Sequence, residues 1–188
     1  MSLIKILFIN LALTFSFLGM LLLTPPIVVS LFSLFEKAES LPDLRSELSL
    51  YKNFPWAEQH FIEFVNLTTS YHDFITWRRD DFSGVTINIQ NGVRNTIGST
   101  LQHSDNEKYY FFGGSTTWGM GVDDGNTYPS LFAQTTHKKV INFGETAYIA
   151  RQSLAYLNNK IIREPMFDLS RAHVLFYDGV NDVLHRCR

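Results

Sequence analysis

The sequence predicts an α/β fold, a parallel sheet covered by helices, placed behind an N-terminal helix that crosses a membrane. Three observations carry this expectation. Residues 109–112, 140–143 and 173–177 are continuous apolar runs of strand length. Helical stretches lie between them, and strands apolar on both faces at roughly thirty-residue spacing imply βαβ units. Finally, residues 6–35 contain no charged side chain, and Asn10 is their one strongly polar residue.

Composition bounds the classes available. At 188 residues there is room for one domain and a small appendage. Hydrophobic residues at 45% are enough for a packed core, which argues against disorder. A net charge of -2 and the absence of any basic run leave no footprint for nucleic acid. Cys187 is the one cysteine, so no internal disulfide can form. The six histidines lack metal-ligand spacing, and no CxxC exists, so neither metal nor cofactor is expected.

Taken in order, residues 1–35 read as a transmembrane anchor. Residues 6–23 alone would make about 27 Å of helix, close to the roughly 30 Å of a hydrocarbon layer. Pro25-Pro26 is expected to break or kink this helix before a second apolar piece. A cleaved secretory signal and a buried helix are the alternatives, and the exit Glu36-Lys37-Ala38-Glu39 makes a poor cleavage site. Lys5 before the span, with Glu36, Glu39, Asp43 and Glu47 after it, places the domain on the extracytoplasmic side of a single-pass membrane protein.

Residues 36–100 read as a linker punctuated by Pro42 and Pro55, a helical aromatic segment and a β-hairpin. Trp56, Phe61, Phe64 and Val65 have helical spacing. Tyr71, Phe74 and Trp77 continue an aromatic stripe suited to packing on the main domain or, alternatively, to stacking on carbohydrate. Residues 86–89 and 93–96 flank Gln90-Asn91-Gly92, a hairpin signal because Asn-Gly supplies the positive φ values of a tight turn. Residues 101–188 then carry the three strand runs. The helices between them span 127–136 and 149–162, the second with Leu154, Leu157 and Ile161 on one face.

Ligands of open parallel sheets bind outside the carboxyl ends of the strands. Three loops follow the three strand runs: Gly113-Gly114-Ser115-Thr116-Thr117-Trp118-Gly119, Gly144-Glu145-Thr146-Ala147-Tyr148 and Asp178-Gly179-Val180-Asn181-Asp182. A serine on a glycine-rich strand-to-helix turn is suited to exposing its hydroxyl as a nucleophile. Serine is equally suited to capping that helix, and Asn181 to closing its own loop. Trp118 fits core packing or the lining of a cleft.

FFGGSTTWG resembles the first block of the SGNH (GDSL-like) hydrolases, with GGS in place of GDS. NFGETAY resembles the second block and YDGVND the third, while WRRDDFSGVTINIQNGVRNT is similar to the segment before the catalytic domain in membrane-associated bacterial members. The resemblance covers about residues 70–185. It implies a flavodoxin-like SGNH fold of which residues 101–188 form the N-terminal part. It also implies a serine esterase, or an O-acyl (acetyl) hydrolase or transferase, acting on acylated carbohydrate or another ester. Ser115 would be the nucleophile, the Ala147 N–H and the Asn181 amide the oxyanion donors, with Gly114, Gly179 and Asp182 in support.

Two departures qualify this. Ala147 stands where the family has glycine, which puts a Cβ at a position suited to a left-handed backbone. The family's base is a histidine in a late Asp-x-x-His block, and this chain stops at Arg188 before any such block. Asp182-Val183-Leu184-His185 has the spacing but begins inside block three, on the segment of the oxyanion asparagine. His137 and His173 read as surface residues. A catalytically incomplete piece and a non-catalytic carbohydrate-binding or assembly module are therefore the alternative expectations.

Overall fold

The computed structural model describes residues 3–36, 43–99, 107–164 and 169–186. Glu39, Pro42, His103 and Cys187 lie outside them, as does the side chain of His185. The chain divides into two compact units, Met1–Pro42 and Asp43–Arg188.

The described residues of the first unit form one helix, α1 (Leu3–Glu36). It continues through Pro25-Pro26 instead of breaking there. Each proline removes a single donor from the ladder, and the bonds of the flanking turns remain. Among the described residues, no helix is long and apolar enough to cross a membrane. This overturns the expected transmembrane anchor over 1–35, and with it the single-pass localisation.

The second unit opens with two 3-10 turns, Leu44–Glu47 and Ser49–Tyr51, and α2 (Ala57–Val65). A two-stranded ribbon follows, β1 (Thr69–His72) antiparallel to β2 (Thr76–Arg79). The aromatic stripe therefore lies on a hairpin. Tyr71 and Phe74 are 76% and 84% exposed, and only Trp77 packs inward, edge-on to Tyr148.

Next come β3 (Phe82–Ser83), β4 (Asn88–Gln90) and β5 (Val93–Arg94). Gln90 pairs with Val93 across a two-residue turn in which Asn91 and Gly92 have φ of 52° and 65°. This is the hairpin the Asn-Gly pair predicts. The remaining elements are β6 (Lys108–Gly113), α3 (Ser115–Trp118), α4 (Tyr128–Thr136), β7 (Lys139–Asn142), α5 (Ala150–Arg163), β8 (Ala172–Tyr177) and α6 (Val180–Arg186).

The six-stranded sheet has the order β3-β4-β5-β7-β6-β8. β6 is parallel to both β7 and β8, as βαβ units require. β5, however, joins β7 antiparallel through Arg94 and Asn142. The expected parallel sheet is thus corrected to a mixed one. The hairpin adds its strands to the sheet because the β7 edge offers unpaired backbone groups that a neighbouring strand can satisfy.

Alternation along β6 sends Tyr110 and Phe112 to one face and Phe111 to the other. The first pair packs with Phe143, Tyr148 and Tyr156, beneath α5. Phe111 packs with Val140 and Ala133, beneath α4. A third cluster, Ile87, Ile89 and Trp118 with Phe64, fixes α2 against the hairpin. Each such aromatic contributes on the order of 2–3 kcal/mol by leaving water. The inner face of α5 is carried by Ser153, Tyr156 and Lys160, whereas Leu154 and Ile161 are 52% and 43% exposed.

Candidate active site

Ser115 begins α3 immediately after β6 ends. Gly114 is the N-cap residue, in extended conformation, and makes no side-chain cap. The helix is one turn long, held by Trp118 N–H to Gly114 O at 3.0 Å and Gly119 N–H to Ser115 O at 2.9 Å. Gly119 closes it with φ of 92°, a left-handed cap that favours glycine. Ser115 is half-buried and leads the helix, so its own N–H is one of the orphan donors of a helix start.

The three strand-end loops converge here. Asn181, in the first turn of α6, donates from Nδ2 to Tyr148 O at 2.8 Å, joining block three to block two. A Cβ built on Gly114 would lie 2.9 Å from that same Nδ2 and 3.3 Å from Tyr148 O. Gly114 is thus required because the Asn181 amide and the Tyr148 carbonyl close directly over it. Glu145 N–H donates to Gly113 O at 3.0 Å, which ties block two to the strand carrying the serine. Gly144 lies so near α3 that a Cβ there would come 2.5 Å from Trp118 N.

Ala147 has φ of 62°, the left-handed region. Holding a residue with a Cβ there costs about 1–2 kcal/mol. Gly179 has φ of 124° with open space around it, so its role is conformational. Asp182 accepts from Ala150 N–H at 3.0 Å and caps the start of α5. This commits the carboxylate of the Asp182-x-x-His185 pair to a helix terminus. Trp118 is 1% exposed, in the core between Phe64 and the Arg94 guanidinium, so it lines no cleft.

Several buried polar residues that support this turn were not evident in the sequence. Asn142 at the end of β7 donates to Thr117 O at 2.9 Å and accepts from Gly144 N–H at 3.0 Å. Arg94, 1% exposed, donates to the carbonyls of Trp118, Gly119 and Val122 and pairs with Asp124 at 2.9 Å. It therefore braces the segment that leaves α3. Glu145, 2% exposed, accepts from Arg79 N–H and Thr146 N–H at 2.8 Å each. Burial pushes its carboxyl upward, against the pull of those two donors and the Arg79 guanidinium.

Behind α3, His60 Nε2 accepts from Gly121 N–H at 3.2 Å. The ring is fully buried, and burial, reinforced by the charge of Arg94, lowers its pKa to about 4. Burial alone would raise Glu63. Hydrogen bonds from the Thr86 hydroxyl, Gln59 and the N–H groups of Val85 and Thr86 outweigh it and hold Glu63 at about 2. Asp178, next to Gly179, is raised by burial, with Ser153 Oγ donating to it at 3.1 Å.

Among the described residues, no imidazole or carboxylate is hydrogen-bonded to Ser115 Oγ, and no cluster could hold a metal ion. His137 caps the end of α4, and His173 stacks on Tyr109 in β8. No protein-family model matches the chain, and no curated protein matches it.

Proposed function

We propose that the Ser115 turn is the nucleophile-and-oxyanion half of a serine ester hydrolase or acyl-transfer site of SGNH type. The observation that carries this reading is the closure of the Asn181 amide over Gly114 at the start of α3, where the first, second and third strand-end loops meet. Ser115 Oγ would attack the carbonyl carbon of an O-acyl ester, acetylated carbohydrate among them. The oxyanion formed would accept hydrogen bonds from Ser115 N–H, Ala147 N–H and Asn181 Nδ2. Each such donor contributes roughly 3–4 kcal/mol at the transition state. The alkoxide leaves with a proton, and the acyl-serine passes its acyl group to water or to another hydroxyl. The base that takes the Oγ proton is the one part the described residues do not supply.

A fluorophosphonate probe tests the proposal, because only an activated serine reacts with it. Labelling that Ser115→Ala abolishes supports the reading. A folded chain that labels equally after the substitution, or that stays unlabelled even when imidazole is added to supply the missing base, refutes it.

The exposed Tyr71 and Phe74 favour a second reading, a non-catalytic carbohydrate-binding module in which sugar rings lie on aromatic faces. Glycan binding that is lost in Tyr71→Ala or Phe74→Ala and retained in Ser115→Ala would select it.

A further inference from the structure

The second strand-end loop carries its backbone donor on a turn that its own residues do not favour. The chain reverses over residues 145–148, with Tyr148 N–H donating to Glu145 O at 3.3 Å. Thr146 keeps a negative φ, while Ala147 in the third place has φ of 62°. That combination is a type II turn, which favours glycine or asparagine in the third place. Alanine suits type I, in which the Thr146–Ala147 peptide is rotated by about half a circle. The Ala147 N–H belongs to that peptide, so the turn type decides where it points.

Contacts from β2 hold the unfavoured form. The Glu145 carboxylate, 2% exposed, accepts from Arg79 N–H at Oε2 and from Thr146 N–H at Oε1, each at 2.8 Å. The Arg79 guanidinium donates to Thr146 Oγ1 at 3.1 Å, and that hydroxyl donates to Glu145 Oε1 at 3.3 Å. The same guanidinium lies 5.7 Å from the ring centre of Trp118, the last residue of α3. On the other side of Ala147, the Tyr148 hydroxyl donates to Trp77 O at 2.5 Å, and Tyr148 O accepts from the Asn181 amide. Thr146 and Tyr148 are thus both tied to β2, and the exposed Ala147 stands between two fixed neighbours.

We infer that Glu145, Arg79 and Thr146 are positioning residues that hold the 145–148 turn in type II and so fix the direction of the Ala147 N–H. Their catalytic consequence rests on the reading of that N–H as an oxyanion donor.

Urea unfolding and fluorophosphonate labelling with added imidazole test this independently. In the natural chain Ala147→Gly removes strain and shifts the urea midpoint upward. Glu145→Gln leaves one of the two N–H groups without an acceptor, because an amide accepts on one atom only. Thr146→Val, near-isosteric at a half-buried position, removes the hydroxyl and serves should Glu145→Gln not fold. Either change lets the turn relax to type I, so in both backgrounds Ala147→Gly is expected to give no upward shift. Labelling of Ser115 is expected to fall at least about tenfold in Glu145→Gln and in Thr146→Val. It should return in Thr146→Ser, and in part when Ala147→Gly is added to Glu145→Gln. A general loosening of the fold would not be reversed by that second substitution. An upward shift as large in the two backgrounds as in the natural chain would overturn the clamp. Undiminished labelling in both single variants would overturn its part in positioning the donor. A natural chain that does not label would instead sink the esterase reading, and the unfolding comparison would then decide the clamp alone.

Discussion

Acid should loosen this protein through His60. His60 Nε2 accepts a hydrogen bond from Gly121 N–H, so the ring proton of the neutral form resides on Nδ1, facing Thr86 Oγ1 at 3.4 Å. Protonation would set an N–H against an N–H inside the core. The pKa falls from 6.5 to about 4, so between those values the unfolded chain binds the proton and the folded one does not. Stability is therefore complete above about pH 6.5 and is lost as pH falls toward 4. At about 1.4 kcal/mol per pH unit, the full loss is about 3 kcal/mol, of which about 2 kcal/mol has gone by pH 5. Glu63, held at about 2, adds its own loss only below its unfolded value of 4.5. Urea unfolding at pH 7.5 and pH 5, for the natural chain and for His60→Gln, isolates the effect. The variant starts less stable but should lose about 2 kcal/mol less on acidification, the exposed histidines cancelling in the comparison. An acid response identical in the two proteins would refute the reasoning.

Three other outcomes follow from the site. Ala147→Gly relieves the φ of 62° and should raise stability by about 1 kcal/mol in urea unfolding with no change in slope; a loss of stability would contradict the strain argument. Arg94→Met strands the Asp124 carboxylate and should cost about 3–5 kcal/mol, with part recovered in Arg94→Met/Asp124→Asn, as read from thermal unfolding. Gly114→Ala drives a methyl against the Asn181 amide, and fluorophosphonate labelling of Ser115 should fall more than tenfold while the circular dichroism of the fold persists.

The parts legible in the sequence were those written in local pattern. The apolar runs at 109–112, 140–143 and 173–177 became β6, β7 and β8, and Asn91-Gly92 became a tight turn, because strand length and turn chemistry are properties of neighbouring residues. The pairing of Arg94 with Asn142 was not legible, since periodicity carries no record of which distant edge a hairpin will join. The β1–β2 ribbon was missed for a different reason. Its turn runs through Phe74 and Thr76 at φ of 68° and 87°, with no glycine to announce a reversal. The stretch at 1–35 read as membrane-spanning because it lacks charge. At the candidate site, Ser115, Asn181 and Gly114 were singled out by their positions after strands together with the motif resemblance. Arg94, Asn142, Glu145 and His60 were not, because a polar residue in a sequence reads as surface until its partners are known.

The sheet also has consequences for how the protein behaves in concentrated solution. Among the described residues its last strand, β8, pairs on one side with β6, and the order of strands ends there. Leu175, Phe176 and Tyr177 are 37%, 45% and 61% exposed, and no lysine, proline or bulge interrupts this rim. Natural sheets blunt such borders with charge, because an open row of amides and carbonyls templates the next strand it meets. The colloidal state is therefore set at one border of the molecule. Self-association should begin at β8, grow with protein concentration, and yield to a single lysine at position 175, whereas added salt should promote it.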